Sequence, residues 1–132
     1  MSRPVSRFLR LTLPALAYAG LIFFVSSLSQ PPGPPLVHGL DKAVHFTVYA
    51  GLGLLAARAL AGHGVRPGRA ALWALALSAL YAASDEVHQA FVPGRSSEVW
   101  DWVADVLGAG LAARLWWGLR RRARAPVPEG NP

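Results

Sequence analysis

The chain has 132 residues, of which 53% are hydrophobic and 15% charged, and it contains no cysteine. This length predicts a single domain over residues 1–132, and the lack of cysteine excludes a disulfide framework and a cysteine-based metal site. The formal charge of +6 does not indicate a nucleic-acid partner, because the basic residues lie at alternate ends of apolar segments. That distribution is typical of a multi-pass membrane protein.

Four apolar segments predict four transmembrane helices, at about residues 9–28, 42–61, 70–91 and 99–119. Each is close to the roughly 20 residues that a helix needs to cross a hydrocarbon core of about 30 Å. The first segment follows several arginines and has a second interpretation as a cleaved signal peptide. The residues after it, Ser26–Gln30, form only a poor cleavage site, which favours the transmembrane helix.

The charges of the loops predict on which side of the membrane each helix end lies. The proline-rich connector Pro31–Pro35 carries no lysine or arginine, which suits the outer side, whereas Arg66 and Arg69 mark the next loop as cytoplasmic. A basic tail, residues 120–132, follows the last helix and is also predicted to be cytoplasmic. The predicted fold is therefore an all-α membrane bundle with both termini in the cytoplasm, in which Arg95 is the only one of twelve arginines outside.

Three polar groups interrupt these helices near their predicted outer ends. With a rise of about 1.5 Å per residue, the side chains of His45, Asp85 and Asp105 lie roughly 5–10 Å from the outer ends of their helices. Because they share this depth, we expect the three groups to meet in space. The groups are Asp41, Lys42, His45 and Tyr49; Asp85, Glu86, His88 and Gln89, with Arg95 after them; and Asp101 with Asp105.

The groups carry more negative than positive charge. A low-dielectric site removes such a surplus by protonating carboxylates, by charging a histidine or by holding a cation. General acid–base chemistry is predicted for His45, Asp85, Glu86 and His88. A divalent cation is a candidate cofactor, with ligands from His45, Asp85, His88 and Asp105, although the spacing matches no known zinc motif. Ligand binding is predicted for Asp41, Lys42, Tyr49, Gln89, Arg95, Asp101 and Asp105.

Two alternatives concern individual residues of these groups. The carboxylates can instead accept hydrogen bonds from Lys42, Arg95 and Tyr49 and act as a polar clamp between helices. Arg95 follows a Pro-Gly turn and can either hold an anionic head group through paired hydrogen bonds or pair with Glu98. The sequence leaves both choices open.

In these blocks the sequence resembles the VanZ-like family of small bacterial membrane proteins. The resemblance covers residues 39–115, and Asp105 departs from it because asparagine is more usual there. It implies a multi-pass protein of the bacterial cytoplasmic membrane with a role in the cell envelope, including low-level resistance to teicoplanin-type antibiotics. The matching pieces are Asp41-Lys42-x-x-His45-x-x-x-Tyr49, Asp85-Glu86-x-His88-Gln89-x-Phe91-x-Pro93-Gly94-Arg95-Ser96, and Asp101-x-x-Ala104-Asp105-x-x-Gly108.

Three functions are compatible with the sequence. The first is binding of a lipid, a lipid-linked cell-wall precursor or a lipoglycopeptide near the outer leaflet, with Arg95 and Lys42 meeting anionic groups. The second is a membrane-embedded hydrolase or transferase, which can be metal-dependent, with His45 or His88 as general base or metal ligand. The third is a proton- or cation-coupled carrier, which with four helices per chain would need to form a dimer.

Overall fold

The computed structural model describes residues 3–31, 33 and 39–123, and every regular element within them is helical. The all-α class is therefore confirmed for this part of the chain. Most of the proline-rich connector and residues 124–132 of the tail lie outside the described residues. Helix α1 is continuous and consists of α-helical Arg3–Arg7, a π-helical turn Phe8–Thr12 and α-helical Leu13–Ser26; α2 is Leu40–Gly62, α3 is Pro67–Gln89 and α4 is Val99–Arg122.

Local sequence explains where α2 and α3 begin and end. Helix α2 starts after Gly39, whose φ of 94° suits glycine, and the Asp41 carboxylate accepts the backbone N–H of Gly39 over 2.9 Å. Helix α3 starts with Pro67, a residue favoured in the first turn. It ends at Gln89 rather than at the predicted residue 91, because the chain tightens into three-residue turns as it approaches Pro93.

Consecutive helices run antiparallel, and α2, α3 and α4 pack against one another while α1 contacts α2 and α3. Contacts between helix ends show this directly. Thr12 of α1 hydrogen-bonds His63 after α2 over 2.7 Å, and Ser27 after α1 hydrogen-bonds His88 of α3 over 2.9 Å. The ends of α1 and α3 therefore lie at the same end of the bundle as the starts of α2 and α4.

Small residues allow α2 and α4 to approach closely. A Cβ atom on Gly108 would overlap the backbone of Phe46, and one on Gly53 would overlap the backbone of Ala109. The sequence predicts a small-residue face on α4 that includes Gly108 and Ala112, but Ala112 is only half-buried. The fully buried alanines in the bundle are Ala57, Ala70, Ala74, Ala82, Ala109 and Ala113.

The surface of the bundle is apolar and part of its interior is charged. Leu72, Leu80 and Leu119 each expose 66–70% of their surface, whereas Asp85 and Asp105 expose 5% or less. A soluble protein has the opposite arrangement. Within the described residues, two helices, Val5–Ser26 and Leu40–Gly62, are long and apolar enough to cross a membrane, as judged by length and composition.

Candidate functional site

The structure brings side chains of the three polar groups into contact. They meet at the end of the bundle where α2 and α4 begin and α3 ends. Side-chain contacts join Lys42 to Asp101, His45 to Asp105 and Tyr49 to Asp85. We call this end of the bundle, from Asp41 to Tyr49, Asp85 to Glu98 and Asp101 to Asp105, the polar end.

His45 and Asp105 form a pair across α2 and α4. Nδ1 of His45 lies 3.0 Å from Oδ1 of Asp105, which is completely buried, and Nε2 lies 4.0 Å from the Asp101 carboxylate. Gly108, one turn further along α4, sets this distance, because it lets α4 rest on the backbone of Phe46 beside His45. The carboxylate can fix the ring orientation, and thereby leave the second nitrogen to take a proton or a metal ion.

Lys42 is surrounded by three carboxylates. Its ammonium nitrogen lies 3.0 Å from Asp41, 2.7 Å from Glu98 and 2.5 Å from Asp101. The sequence allowed Lys42 to meet an anionic ligand, but three carboxylates already surround its ammonium group. Glu98 pairs here with Lys42, and the alternative pairing with Arg95 is not observed.

Asp85 belongs to a second chain of hydrogen bonds. Its Oδ2 accepts from the Tyr49 hydroxyl over 3.3 Å and from the Gln89 amide over 3.1 Å. The Gln89 carbonyl oxygen accepts in turn from Nη2 of Arg95 over 2.7 Å. Gly94, with φ of 80°, provides the turn that brings Arg95 back over the end of α3.

The Glu86 side chain points toward the start of α4 and does not join the hydrogen bonds of Asp85. Its Oε2 accepts from the Ser97 hydroxyl over 3.0 Å and from the backbone N–H of Glu98 over 2.9 Å. One ligand atom each from Glu86, His45 and Asp105 lie within 4.8 Å of one another. Glu86 therefore joins the His45–Asp105 pair, although its position about 100° around α3 from Asp85 gave no sign of this.

His88 lies apart from the other histidine. Its ring stacks on Phe23 at a centroid distance of 4.7 Å, and Nε2 bonds Ser27 at the end of α1. The structure thus places together His45 and Asp105 of the predicted metal ligands, and it directs His88 to a different helix. Ser97 and Glu98 also contribute to the polar end, because Ser97 bonds Glu86 and Glu98 pairs with Lys42. The sequence offered Glu98 only as a partner of Arg95 and predicted no contact between Ser97 and Glu86.

Chemically, the polar end combines an oriented imidazole with carboxylates from three helix ends. Four carboxylate oxygens of the polar end are buried without a hydrogen-bond partner among the described residues, namely Asp85 Oδ1, Glu86 Oε1, Asp101 Oδ1 and Asp105 Oδ2. Of these, Asp101 Oδ1 has the Lys42 ammonium beside it as an ion-pair partner. Such oxygens cost free energy unless a proton, a cation or a ligand donor satisfies them. The arrangement can therefore bind a cation or a donor group, and it can position a base beside a bound molecule.

In comparison with known proteins, the chain matches the sequence model of the VanZ/LLP1 family over residues 4–120. The chain belongs to the VanZ/LLP1 family. The resemblance noted in three short blocks thus extends over nearly all of the chain. No curated protein and no solved structure matches it.

Membership of the family explains the unusual surface of the bundle. A VanZ-like protein belongs to the cell envelope, and two of the helices here are apolar and long enough to cross a bilayer. This VanZ/LLP1 chain is therefore a membrane protein of the cell envelope. Its exterior is rich in exposed leucine, whereas its buried carboxylates face the other helices.

Proposed function

We propose that all four helices of this VanZ/LLP1 protein span the cytoplasmic membrane, with both termini in the cytoplasm and the polar end on the outer side. The charges support this orientation. The carboxylates of the helices gather at the polar end, whereas the arginines near Arg66 and Arg120 lie at the opposite end. Positive residues are retained on the cytoplasmic side of membrane proteins.

We further propose that the polar end binds an amphiphile of the envelope: a lipid, a lipid-linked cell-wall precursor or a lipoglycopeptide. The supporting observation is that apolar side chains surround the polar residues on the helix ends. Val87, Phe91, Val99 and Trp100 expose 62–82% of their surface there. A polar head group can reach the carboxylates and Arg95 while an attached acyl or prenyl chain lies along these apolar side chains.

Arg95 is the group that would hold an anionic part of this ligand. A guanidinium group has five N–H donors. Among the residues that the structure describes, the Arg95 guanidinium makes one hydrogen bond, to Gln89. Its side chain is half-buried, so an approaching phosphate or carboxylate would meet little competition from water. Lys42 is a weaker candidate because it is already shared among three carboxylates.

The test is binding of a polyprenyl pyrophosphate, and separately of teicoplanin, to the full-length protein in nanodiscs. Arg95→Ala should weaken binding of the anionic lipid about tenfold, which corresponds to the loss of one or two charge-assisted hydrogen bonds. Arg58→Ala is the matched control, because Arg58 is exposed on α2 and lies far from the polar end. Equal affinity of the Arg95→Ala variant and the unmodified protein, or no saturable binding of either probe, would refute the proposal.

A second candidate function, a hydrolase or transferase acting on the same class of lipid, is supported by the His45–Asp105 pair. An imidazole oriented by a carboxylate is a common general base. This function predicts that the bound lipid is converted to a product and that His45→Ala abolishes the conversion. His88→Ala should retain it, because His88 contacts α1 instead. Recovery of only unchanged lipid after long incubation would leave binding as the function.

A further inference from the structure

Two groups of acidic side chains at the polar end differ in one respect. Asp41, Glu98 and Asp101 surround the ammonium of Lys42, so their group contains its own cation. The other group consists of His45, Glu86 and Asp105, and no lysine or arginine contacts it among the residues that the structure describes. Of the two groups, only the second has carboxylates that face one another without a permanent positive charge between them.

Each carboxylate of the second group has a hydrogen-bond partner at only one of its two oxygens. Oε2 of Glu86 and Oδ1 of Asp105 have hydrogen-bond partners, but Oε1 and Oδ2 are buried and have none within the described ranges. Both residues are more than nine-tenths buried, and Asp105 has no exposed surface. Two buried carboxylates this close to a histidine are costly without a shared positive partner.

From this geometry we propose that His45, Glu86 and Asp105 bind one divalent transition-metal ion. An imidazole nitrogen with two carboxylate oxygens is a donor set that suits Zn²⁺ and Mn²⁺. Three protein ligands leave at least one coordination position for water or for an oxygen of a bound molecule. Ser97 and the N–H of Glu98 would orient the Glu86 carboxylate, as hydrogen bonds from outer residues do at known metal sites.

The proposed ligand set differs from the one that the sequence predicts. Glu86 replaces Asp85 and His88, because Asp85 is held by Tyr49 and Gln89, and His88 is turned toward α1. Asp85 also has a free buried oxygen, but it does not belong to the group whose ligand atoms lie within 4.8 Å. The two ligand sets can therefore be distinguished by mutagenesis.

The competing explanation is that His45 is protonated and itself supplies the positive charge. An imidazolium between Asp105 and Asp101 would satisfy the same electrostatics without any metal. A protonated ring has no lone pair to donate to a metal ion, so the two explanations exclude each other at a given pH. Direct metal binding at neutral pH decides between them.

The experiment uses the full-length protein, purified in detergent and stripped with EDTA, and titrates Zn²⁺ and Mn²⁺ separately by calorimetry. We expect one ion per chain for at least one of the two metals. Glu86→Gln and Asp105→Asn keep the shapes of the side chains and should each weaken binding at least tenfold. His63→Ala is the matched control, since His63 lies at the opposite end of the bundle and bonds Thr12.

A second measurement uses only the unmodified protein, so its result stands even if a variant fails to fold. The thermal midpoint of the stripped, unmodified protein should rise when the metal is added, because an ion that binds only the folded state stabilises it. The proposal is overturned if the folded, unmodified protein binds no metal, or if Asp85→Asn and His88→Ala abolish binding while Glu86→Gln does not. The titration contains no lipid or antibiotic, so failure of the proposed ligand binding would not affect its result.

Discussion

Lys42 shows how much a single side chain can organise at the polar end. Its ammonium links the start of α2 to Glu98 before α4 and to Asp101 within it. Asp101 is buried and Glu98 is exposed, so loss of the Lys42 partner would cost more free energy at Asp101 than at Glu98. The ion pair therefore fixes how the starts of α2 and α4 meet, which is also where His45 and Asp105 come together.

Replacing Lys42 with methionine should destabilise the protein. Methionine keeps the length of the side chain but leaves Asp101 buried without its positive partner. For a chain of this size, a loss of about 1 kcal/mol in the free energy of unfolding lowers the thermal midpoint by roughly 3–6 °C. The measurement is thermal unfolding in detergent, followed by intrinsic tryptophan fluorescence.

The double variant Lys42→Met, Asp101→Asn is the control for this interpretation. Because the second change removes the unpaired charge, it should recover part of the lost stability. A double variant that unfolds at a lower temperature than Lys42→Met alone would show that the side chains act independently of their charge pairing.

Individual residues also mark the limit of prediction from the sequence. Helical spacing predicts that Asp41, His45 and Tyr49 share one face of α2, because such a prediction depends only on the period of the helix. The choice between Glu86 and His88 as neighbour of His45 depends on where α1 and α4 lie around α3. One sequence does not specify that order, so the grouping of Glu86 with His45 could not be predicted.

At the scale of the helix, glycine spacing in α4 controls how closely α2 packs. Gly108 rests against the backbone of Phe46, which cannot move aside as a flexible side chain could. Gly118 lies on the same helix, and a Cβ atom there would meet nothing within 4 Å. Replacing each glycine with alanine therefore distinguishes the effect of helix propensity, which both positions share, from the effect of helix packing, which only Gly108 has.

Gly108→Ala should destabilise the bundle by about 1–3 kcal/mol, the usual cost of overpacking, and it should also separate His45 from Asp105. Gly118→Ala should be neutral or stabilising by up to about 1 kcal/mol, because alanine favours a helix. Chemical unfolding in detergent measures both. Equal effects of the two substitutions would contradict the close approach of α2 and α4.

The helices themselves were largely predictable. Apolar runs bounded by glycine, proline and charge gave all four positions, and the start of α4 at Val99 agrees with the structure. The end of α3 was placed two residues late, since hydropathy continues through Phe91 while the backbone already turns. The π-helical turn Phe8–Thr12 has no signature in the sequence pattern, because its residues are ordinary helix formers.

At the scale of the molecule, the polar end and the arginine-rich end lie at opposite ends of an apolar bundle. Arg120 and Arg121 contact Trp116 and Trp117 at the arginine-rich end, where aromatic and basic side chains together suit an interface with lipid head groups. The four-span topology that we propose places the loop containing Ser96 outside the cell. It places the loop containing His63, and Ala123 after α4, inside.

Single cysteines test this topology cleanly, because the natural chain contains none. Ser96→Cys should react with a membrane-impermeant maleimide in intact spheroplasts, whereas His63→Cys and Ala123→Cys should react only after permeabilisation. All three residues are exposed at the bundle surface, so slow labelling would reflect the membrane and not burial. Labelling of Ala123→Cys in intact spheroplasts would place the C-terminus outside. The polar end would then face the cytoplasm or α4 would not span the membrane, and an envelope ligand could not reach Arg95 from the outer leaflet.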